Sequence, residues 1–168
     1  MGIMNSDFSV SWELSRGRFD QEVLGLSQEQ LNFRLYPGSL TIGEMAIHVA
    51  GVEVWFLCQL HGNPVPTELV RIAQCATEGV VNDNPFPFPA SEITPASVAD
   101  ALATASAMVK EVIYEPIAEL LQKEIKSALG PIITGRGALA RFAFHPGYHH
   151  GQAYQIKCAP GFPNLLVF

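Results

Sequence analysis

The sequence is short of basic residues, and it has no run of them. Lysine and arginine number 10 against 16 aspartates and glutamates, so the formal net charge is −6 at pH 7. A protein that binds nucleic acid needs clustered basic side chains to neutralise the phosphates. We therefore expect no nucleic-acid partner.

Long apolar runs and cysteines are scarce as well. A membrane-spanning helix needs about 20 consecutive apolar residues, and no segment of the sequence approaches that length. The N-terminal stretch MGIMNSDFSVSWELSRGR also lacks the basic start and apolar centre of a signal peptide. The three cysteines, Cys58, Cys75 and Cys158, are odd in number and far apart, which is typical of free thiols in a reducing compartment. These absences predict a cytoplasmic protein with no membrane partner.

Apolar residues, in contrast, are abundant and regularly spaced. They make up 48% of the 168 residues, enough for one domain over residues 1–168 with a full core. Steps of three, four and seven residues predict a first helix that buries one stripe. The residues of that stripe are Phe8, Trp12, Phe19, Val23 and Leu26. A capping-box pattern at Ser27 and Gln30 predicts a short second helix that ends near Arg34.

The segment TIGE, from Thr41 to Glu44, has a stronger capping-box pattern. It predicts a long helix that ends at about His61. Residues at helical spacing form its predicted buried stripe: Met45, His48, Val49, Val52, Trp55 and Phe56. His48 is thus predicted to lie on the apolar side. Glu53 lies off this stripe and is predicted to be a solvated or interhelical carboxylate, with a supporting role at a metal site as the alternative.

Prolines interrupt the middle of the chain. Across residues 62–95 they are too closely spaced for a continuous helix or a central strand. We interpret this stretch as a long crossover with a short helix over residues 67–76. Its NPFPFP segment is either an exposed docking surface or a seal over one end of the helices.

The C-terminal half regains helical spacing. Residues 97–129 predict a helix that Pro116 kinks or splits. A last helix is predicted from about residue 134 to 158, followed by an apolar tail at residues 165–168. No convincing strand pattern is present. Four substantial helices and one long connection predict an all-α four-helix bundle with a crossover.

The segment RFAFHPGYHHGQAYQI holds three of the five histidines. His145 and His149 are four residues apart, so on a helix their imidazoles rise from one face and can converge on one ion. His48, on the inner face of an earlier helix, is a candidate for a third nitrogen. The alternative is that all three are ordinary hydrogen-bonded histidines, which this spacing does not exclude. His150 and Gln152 are candidates for a supporting role beside the ligands.

Two stretches resemble the DinB/YfiT-like family, a group regarded as metalloenzymes. The opening WELSRGRFDQEVLGLSQEQLNFRLYPGSLTIGEMAIHVAGVEVWF is similar to a family pattern that leads into a metal-binding histidine. The closing FHPGYHHGQAYQI is similar to a second signature, H-x-x-x-H followed by R-G-Q, with Gly151 and Gln152 in register. The resemblance implies a DinB-like four-helix bundle in which three histidines bind one divalent ion: His48, His145 and His149.

The sequence departs from that signature at two points. His150 stands where the family usually has arginine, which removes a permanent cation and any bidentate grip on an anion. Pro146 and Gly147 lie between the two paired histidines, where proline deletes one helical hydrogen bond and glycine loosens the turn. We therefore expect a helix that deviates from ideal spacing at the site.

Three neutral imidazoles leave a metal with its double positive charge and an open position, as in catalytic zinc sites. Such an ion lowers the pKa of bound water or holds a thiol as thiolate. Members of the resembled family include thiol-dependent transferases and isomerases, which implies a metal-activated low-molecular-weight thiol, and the family also implies a homodimer. A metal-dependent hydrolase and a non-catalytic metal-binding or interaction module remain alternatives. Imidazole ligands suit zinc, nickel, copper and iron, of which zinc is our first choice and nickel our second. The catalytic residues are not identified.

A cleft beside the ion is expected to be apolar, which favours a small, partly apolar substrate. Three aromatic residues are predicted to line it: Phe56, Phe142 and Phe144. The proline-rich crossover is a candidate lid.

Overall fold

A computed structural model describes residues 6–163 of the chain. The predicted tail at residues 165–168 lies outside this range. Four long helices dominate the described part: α1 (Asp7–Val23), α3 (Ile42–His61), α5 (Pro95–Ile113) and α7 (Gly135–Lys157). Shorter elements connect them: α2 (Gln28–Leu31), a 3-10 turn (Thr67–Leu69), α4 (Val70–Gln74), α6 (Ala118–Gln122), and the strands β1 (Glu124–Lys126) and β2 (Ile132–Thr134). The all-α architecture with a long crossover is therefore confirmed.

Side-chain caps begin two of these helices, α2 and α3, where the sequence predicts them. Thr41 accepts a hydrogen bond from the backbone N–H of Glu44 at 3.1 Å, and the Glu44 carboxylate accepts from the N–H of Thr41 at 2.7 Å. Ser27 and Gln30 form a second reciprocal pair. Each pair satisfies N–H groups that have no partner within the helix. At its other end α3 stops at His61, because Gly62 adopts a left-handed conformation with φ +73°.

The long helices pack as two pairs, α1 along α7 and α3 along α5, and α3 also contacts α7. Helix α3 is central, with 17 of its 20 residues buried. The stripe predicted from spacing was therefore too narrow, because a helix surrounded by other elements buries nearly its whole circumference. No helix within residues 6–163 is long and apolar enough to cross a membrane.

Pro116 splits the helix predicted over residues 97–129, which was one of the two expected outcomes, but the prediction was wrong for residues 123–129. Proline at 116 cannot donate a helical hydrogen bond and disfavours helical geometry in the residue before it, so α5 ends at Ile113 and the short α6 starts at Ala118. The chain then forms an antiparallel hairpin in which Ile125 pairs with Ile133. Strands of three residues leave almost no alternating pattern in a sequence, which explains why the hairpin was missed.

The crossover folds back onto the bundle around Arg71. Its guanidinium donates to the carbonyl oxygen of Pro87, forms an ion pair with Glu92 and lies 4.0 Å above the ring centre of Phe88. Phe86 and Phe88 are half-buried against the core. The NPFPFP segment thus seals the bundle, which agrees with the second of its two interpretations.

Candidate metal centre

Three imidazoles from two helices converge on one point inside the bundle. The Nε2 atom of His145 lies 3.1 Å from Nε2 of His48 and 3.0 Å from Nε2 of His149. His48 belongs to α3 and the other two belong to α7. His48 and His149 are buried, and His145 is half-buried. The three side chains offer one nitrogen each, close enough together to hold a metal ion.

Two of the imidazoles are oriented by hydrogen bonds from their other ring nitrogen. Nδ1 of His48 donates to the backbone carbonyl of Cys75 at 2.7 Å, and Nδ1 of His149 donates to the side-chain oxygen of Gln152 at 2.7 Å. A nitrogen bonded to a carbonyl oxygen must carry the proton, so Nε2 of each ring is left with a free lone pair. This is the usual arrangement around a metal-binding histidine.

A glycine allows the first of these contacts. A Cβ atom at Gly51 would lie 2.3 Å from the carbonyl oxygen of Ile72 and 3.0 Å from the amide nitrogen of Ala76. Only glycine lets the backbone of α4 come this close to α3. The close approach brings the Cys75 carbonyl within reach of His48, one turn before Gly51 on α3.

Helix α7 stays continuous through Pro146, which is buried. Proline at this position removes the hydrogen bond back to Phe142. The carbonyl of the following residue, Ala143, accepts a hydrogen bond from the hydroxyl of Ser15 on α1, which supports the helix from outside. The expected distortion does not separate the paired histidines, since their Nε2 atoms lie 3.0 Å apart.

Burial keeps the three imidazoles neutral. It lowers the pKa of His48, against the opposing effect of the Cys75 carbonyl. Burial followed by the neighbouring His48 lowers the pKa of His149 to about 3. The pKa of His145 falls well below its usual value because of burial and the charges of His149, His48 and Arg141. Neutral imidazoles are the form that binds a metal.

The donor set fits a divalent ion. Nε2 of His48 and Nε2 of His149 are both unprotonated, and Nε2 of His145 carries at most one proton, so two lone pairs and at most one hydrogen face a common point. Hydrogen bonds among the rings cannot satisfy this arrangement, whereas a cation can. Zinc–nitrogen bonds of about 2.0–2.1 Å at tetrahedral angles put neighbouring nitrogens about 3.3 Å apart, close to the separations of 3.0 and 3.1 Å in the cluster.

Sequence comparison agrees with this geometry. Residues 11–153 match the DinB superfamily. The chain belongs to the DinB superfamily. The predicted family resemblance is thereby confirmed over most of the chain's length.

One solved structure shares the DinB fold seen here, that of a conserved protein from Enterococcus faecalis. The TM-score is 0.64 at 20% sequence identity, over 89% of this chain and 92% of the other. At that identity the likeness shows the fold alone. No curated protein matches the chain significantly in sequence.

In this DinB protein the three histidines open onto a cavity of about 810 Å³. Helices α3 and α7 form two walls, with Met45, Val52 and Phe56 on the first and Phe144 and Tyr148 on the second. The remaining walls come from three connecting segments: residues 35–40, the crossover residues Ala76, Val80 and Val81, and the hairpin turn at 127–129. The cavity is of the size that holds a small-molecule ligand.

The structure separates the two supporting candidates of the sequence. Gln152 orients His149 directly. His150 does not line the cavity and faces α1, where its Nε2 lies 3.9 Å from the carboxylate of Glu22. Histidine in place of the family's usual arginine at position 150 therefore changes a contact with α1 and does not change the cavity wall.

Of the other residues singled out in the sequence, some line the cavity and others are buried elsewhere. Phe56 and Phe144 line the cavity. The prediction was wrong for Phe142, which is fully buried against Phe56 with 6.0 Å between the ring centres. Glu53 is interhelical and not solvated, since its carboxylate is buried and accepts hydrogen bonds from Trp12 and Arg16.

Two contributors to the site were missed in the sequence. The carbonyl of Cys75 is a backbone group on the crossover, and a backbone group leaves no mark in a residue pattern. Arg141, one turn before His145, also lines the cavity. Its spacing of four residues from His145 was the available signal for it.

Proposed function

We propose that His48, His145 and His149 bind a divalent metal ion, zinc as first choice and nickel as second, and that the protein uses it to activate a small thiol for S-transfer or isomerisation. The observation that carries the proposal is the convergence of the Nε2 atoms of three neutral imidazoles. In two of these rings, those of His48 and His149, the Nδ1 atom already donates a hydrogen bond to the protein. The DinB superfamily membership of the chain supports it.

The ion would supply a positive charge and open coordination positions, which together would stabilise a bound thiolate at neutral pH. The protein's own residues do the rest. The Cys75 carbonyl and Gln152 hold two imidazoles in the tautomer that leaves Nε2 free. The side chains of Val52, Phe56 and Phe144 give the cavity apolar walls for the body of a substrate.

The lining of the cavity favours a thiol over water as the nucleophile. Zinc hydrolases commonly place a glutamate beside the metal as the general base. Among residues 6–163, no aspartate or glutamate lines the cavity. A thiol has less need of such a base, because its pKa is far closer to neutral than that of water. The alternative of a hydrolase is therefore the weaker one.

The first test is the metal content of the untagged protein by mass spectrometry. We expect about one equivalent of metal in the wild type and its loss in His48→Ala, His145→Ala and His149→Ala. His150→Ala is the matched control and is expected to keep the metal, because that residue faces Glu22. Circular dichroism checks that each variant is folded. A wild type that stays empty after reconstitution with zinc and nickel would favour the non-catalytic module.

The second test addresses thiol activation. Cobalt-substituted protein is titrated with 2-mercaptoethanol, and a saturable sulfur-to-cobalt charge-transfer absorption is expected. Cobalt uptake without that absorption would contradict thiol activation while leaving metal binding intact, and the hydrolase alternative would then be examined with ester substrates.

A further inference from the structure

The cavity beside the three histidines is largely apolar, with one permanent charge in its wall. Arg141 is the sole lysine, arginine, aspartate or glutamate that lines it within the described part of the chain. Arg141 is half-buried on α7, one turn before His145. A cation in an apolar wall is costly unless an anion meets it.

Within residues 6–163, three arginines are held by protein partners, whereas the guanidinium of Arg141 is not. Arg18 and Arg136 also form no hydrogen bond or ion pair there, but neither lines the cavity. Arg16 donates to Asp20, Glu53 and the carbonyl of Leu102. Arg34 pairs with Glu44, and Arg71 pairs with Glu92. For Arg141 no hydrogen bond and no ion pair is formed with any residue between 6 and 163. Its five N–H donors in a planar fork are therefore available to a ligand.

We propose that Arg141 binds an anionic group, such as a carboxylate or sulfonate, on an otherwise apolar substrate that fills this cavity. The identification of the cavity as a substrate site rests on the proposed function. The pairing would fix the direction in which the substrate enters, with its charged end at α7 and its apolar body against Val52, Phe56 and Val81. A planar guanidinium recognises such groups through two parallel hydrogen bonds.

The test uses two fluorescent probes that differ by one sulfonate, 1-anilinonaphthalene-8-sulfonate and the neutral N-phenyl-1-naphthylamine. Binding is measured by calorimetry on the protein as purified, and amide shifts in NMR spectra at Met45, Val81 and Leu129 establish that each probe occupies the cavity. Arg141→Gln is expected to weaken the binding of the sulfonate probe by about tenfold or more and the binding of the neutral probe by less than about twofold. Arg141→Lys should retain part of the preference, because it keeps the charge without the fork.

Arg18→Gln is the matched control, since Arg18 is exposed on α1 outside the cavity wall and loses the same charge. A sulfonate preference that survives Arg141→Gln, or a cavity that takes neither probe, would overturn the inference. Metal content is measured on the same samples. If a protein without metal still prefers the sulfonate probe through Arg141, the role of Arg141 is supported and the proposed metal chemistry fails. If a protein with metal shows no such preference, the metal site is supported and the role of Arg141 fails.

Discussion

One amide side chain determines how the imidazole of His149 is presented. Gln152 accepts a hydrogen bond from Nδ1 of that ring and so leaves Nε2 unprotonated toward the cluster. The two residues are three apart on α7, which puts them on neighbouring positions of one helix face. The contact acts on the ligand without touching the proposed ion.

Replacing this amide tests its role at the scale of a single residue. Gln152→Leu should weaken zinc binding by about 10- to 100-fold, because His149 loses the partner that sets its tautomer. The measurement is a zinc dissociation constant from competition with a chromophoric chelator. Gln155→Leu is the control, since Gln155 is exposed and lines the same cavity but forms no hydrogen bond to a described histidine. Equal affinities in the two variants would show that Gln152 does not position the ligand.

At the scale of elements, the close approach of α4 to α3 supports the other half of the cluster. Gly51 lies where the two backbones come together, and the carbonyl that orients His48 follows directly after α4. The capping box of α3 was predictable because both partners lie within four residues of each other. The packing of α4 was not, because it depends on how a proline-rich crossover closes over a distant helix.

A methyl group at position 51 should separate these elements. In Gly51→Ala the new Cβ would meet the carbonyl of Ile72, so α4 must shift. We expect the free energy of unfolding to fall by about 1–3 kcal/mol and zinc binding to weaken, since the Cys75 carbonyl moves with α4. Urea denaturation and chelator competition measure the two effects.

Gly17→Ala provides the control for this substitution. It also adds a methyl group to a helix, but no atom lies within 4 Å of the new Cβ. A gain of about 0.5–1 kcal/mol is expected, because alanine loses less backbone entropy than glycine in a helix. A Gly51→Ala protein that is destabilised yet binds zinc normally would show that the Cys75 contact does not orient His48.

At the scale of the whole molecule, a buried ion pair joins three of the long helices. Arg16 on α1 donates to the carboxylate of Glu53 on α3 and to the carbonyl of Leu102 on α5. The indole of Trp12 donates to the second oxygen of Glu53 at 3.0 Å. Burial raises the pKa of Glu53, and the charge of Arg16 opposes that rise. Each charge therefore depends on the other for compensation.

Removing one partner should cost more than removing both charges. Arg16→Met is expected to lower the free energy of unfolding by about 3–5 kcal/mol, because the Glu53 carboxylate is left buried without compensation. The double variant Arg16→Met, Glu53→Gln should lose less, since glutamine is neutral and still accepts from Trp12. Exposed Arg18→Met on the same helix should stay within about 0.5 kcal/mol of wild type. A double variant less stable than Arg16→Met would contradict this account.

The sequence alone determined where the four long helices lie, the capping box at the start of α3 and the face of α7 that carries the paired histidines. These features depend on residues within one or two turns of each other, so their physical causes are contained in short segments. His48 was a candidate for the third nitrogen from its place on the apolar face of α3, and the family resemblance assigned it to the same ion as the pair. The same reasoning failed beyond Gln122, where a hairpin of two three-residue strands replaced the end of the predicted helix.

Only the tertiary structure decided what surrounds the histidines. It brought the Cys75 carbonyl to His48, turned His150 toward Glu22, buried Phe142 away from the cavity and put Arg141 in its wall. Each of these outcomes depends on how two distant segments pack, and a rotation of α7 by a single residue step, about 100°, would change the last three. Local patterns carry no information at that distance, because the free energy that selects the packing is summed over the whole core.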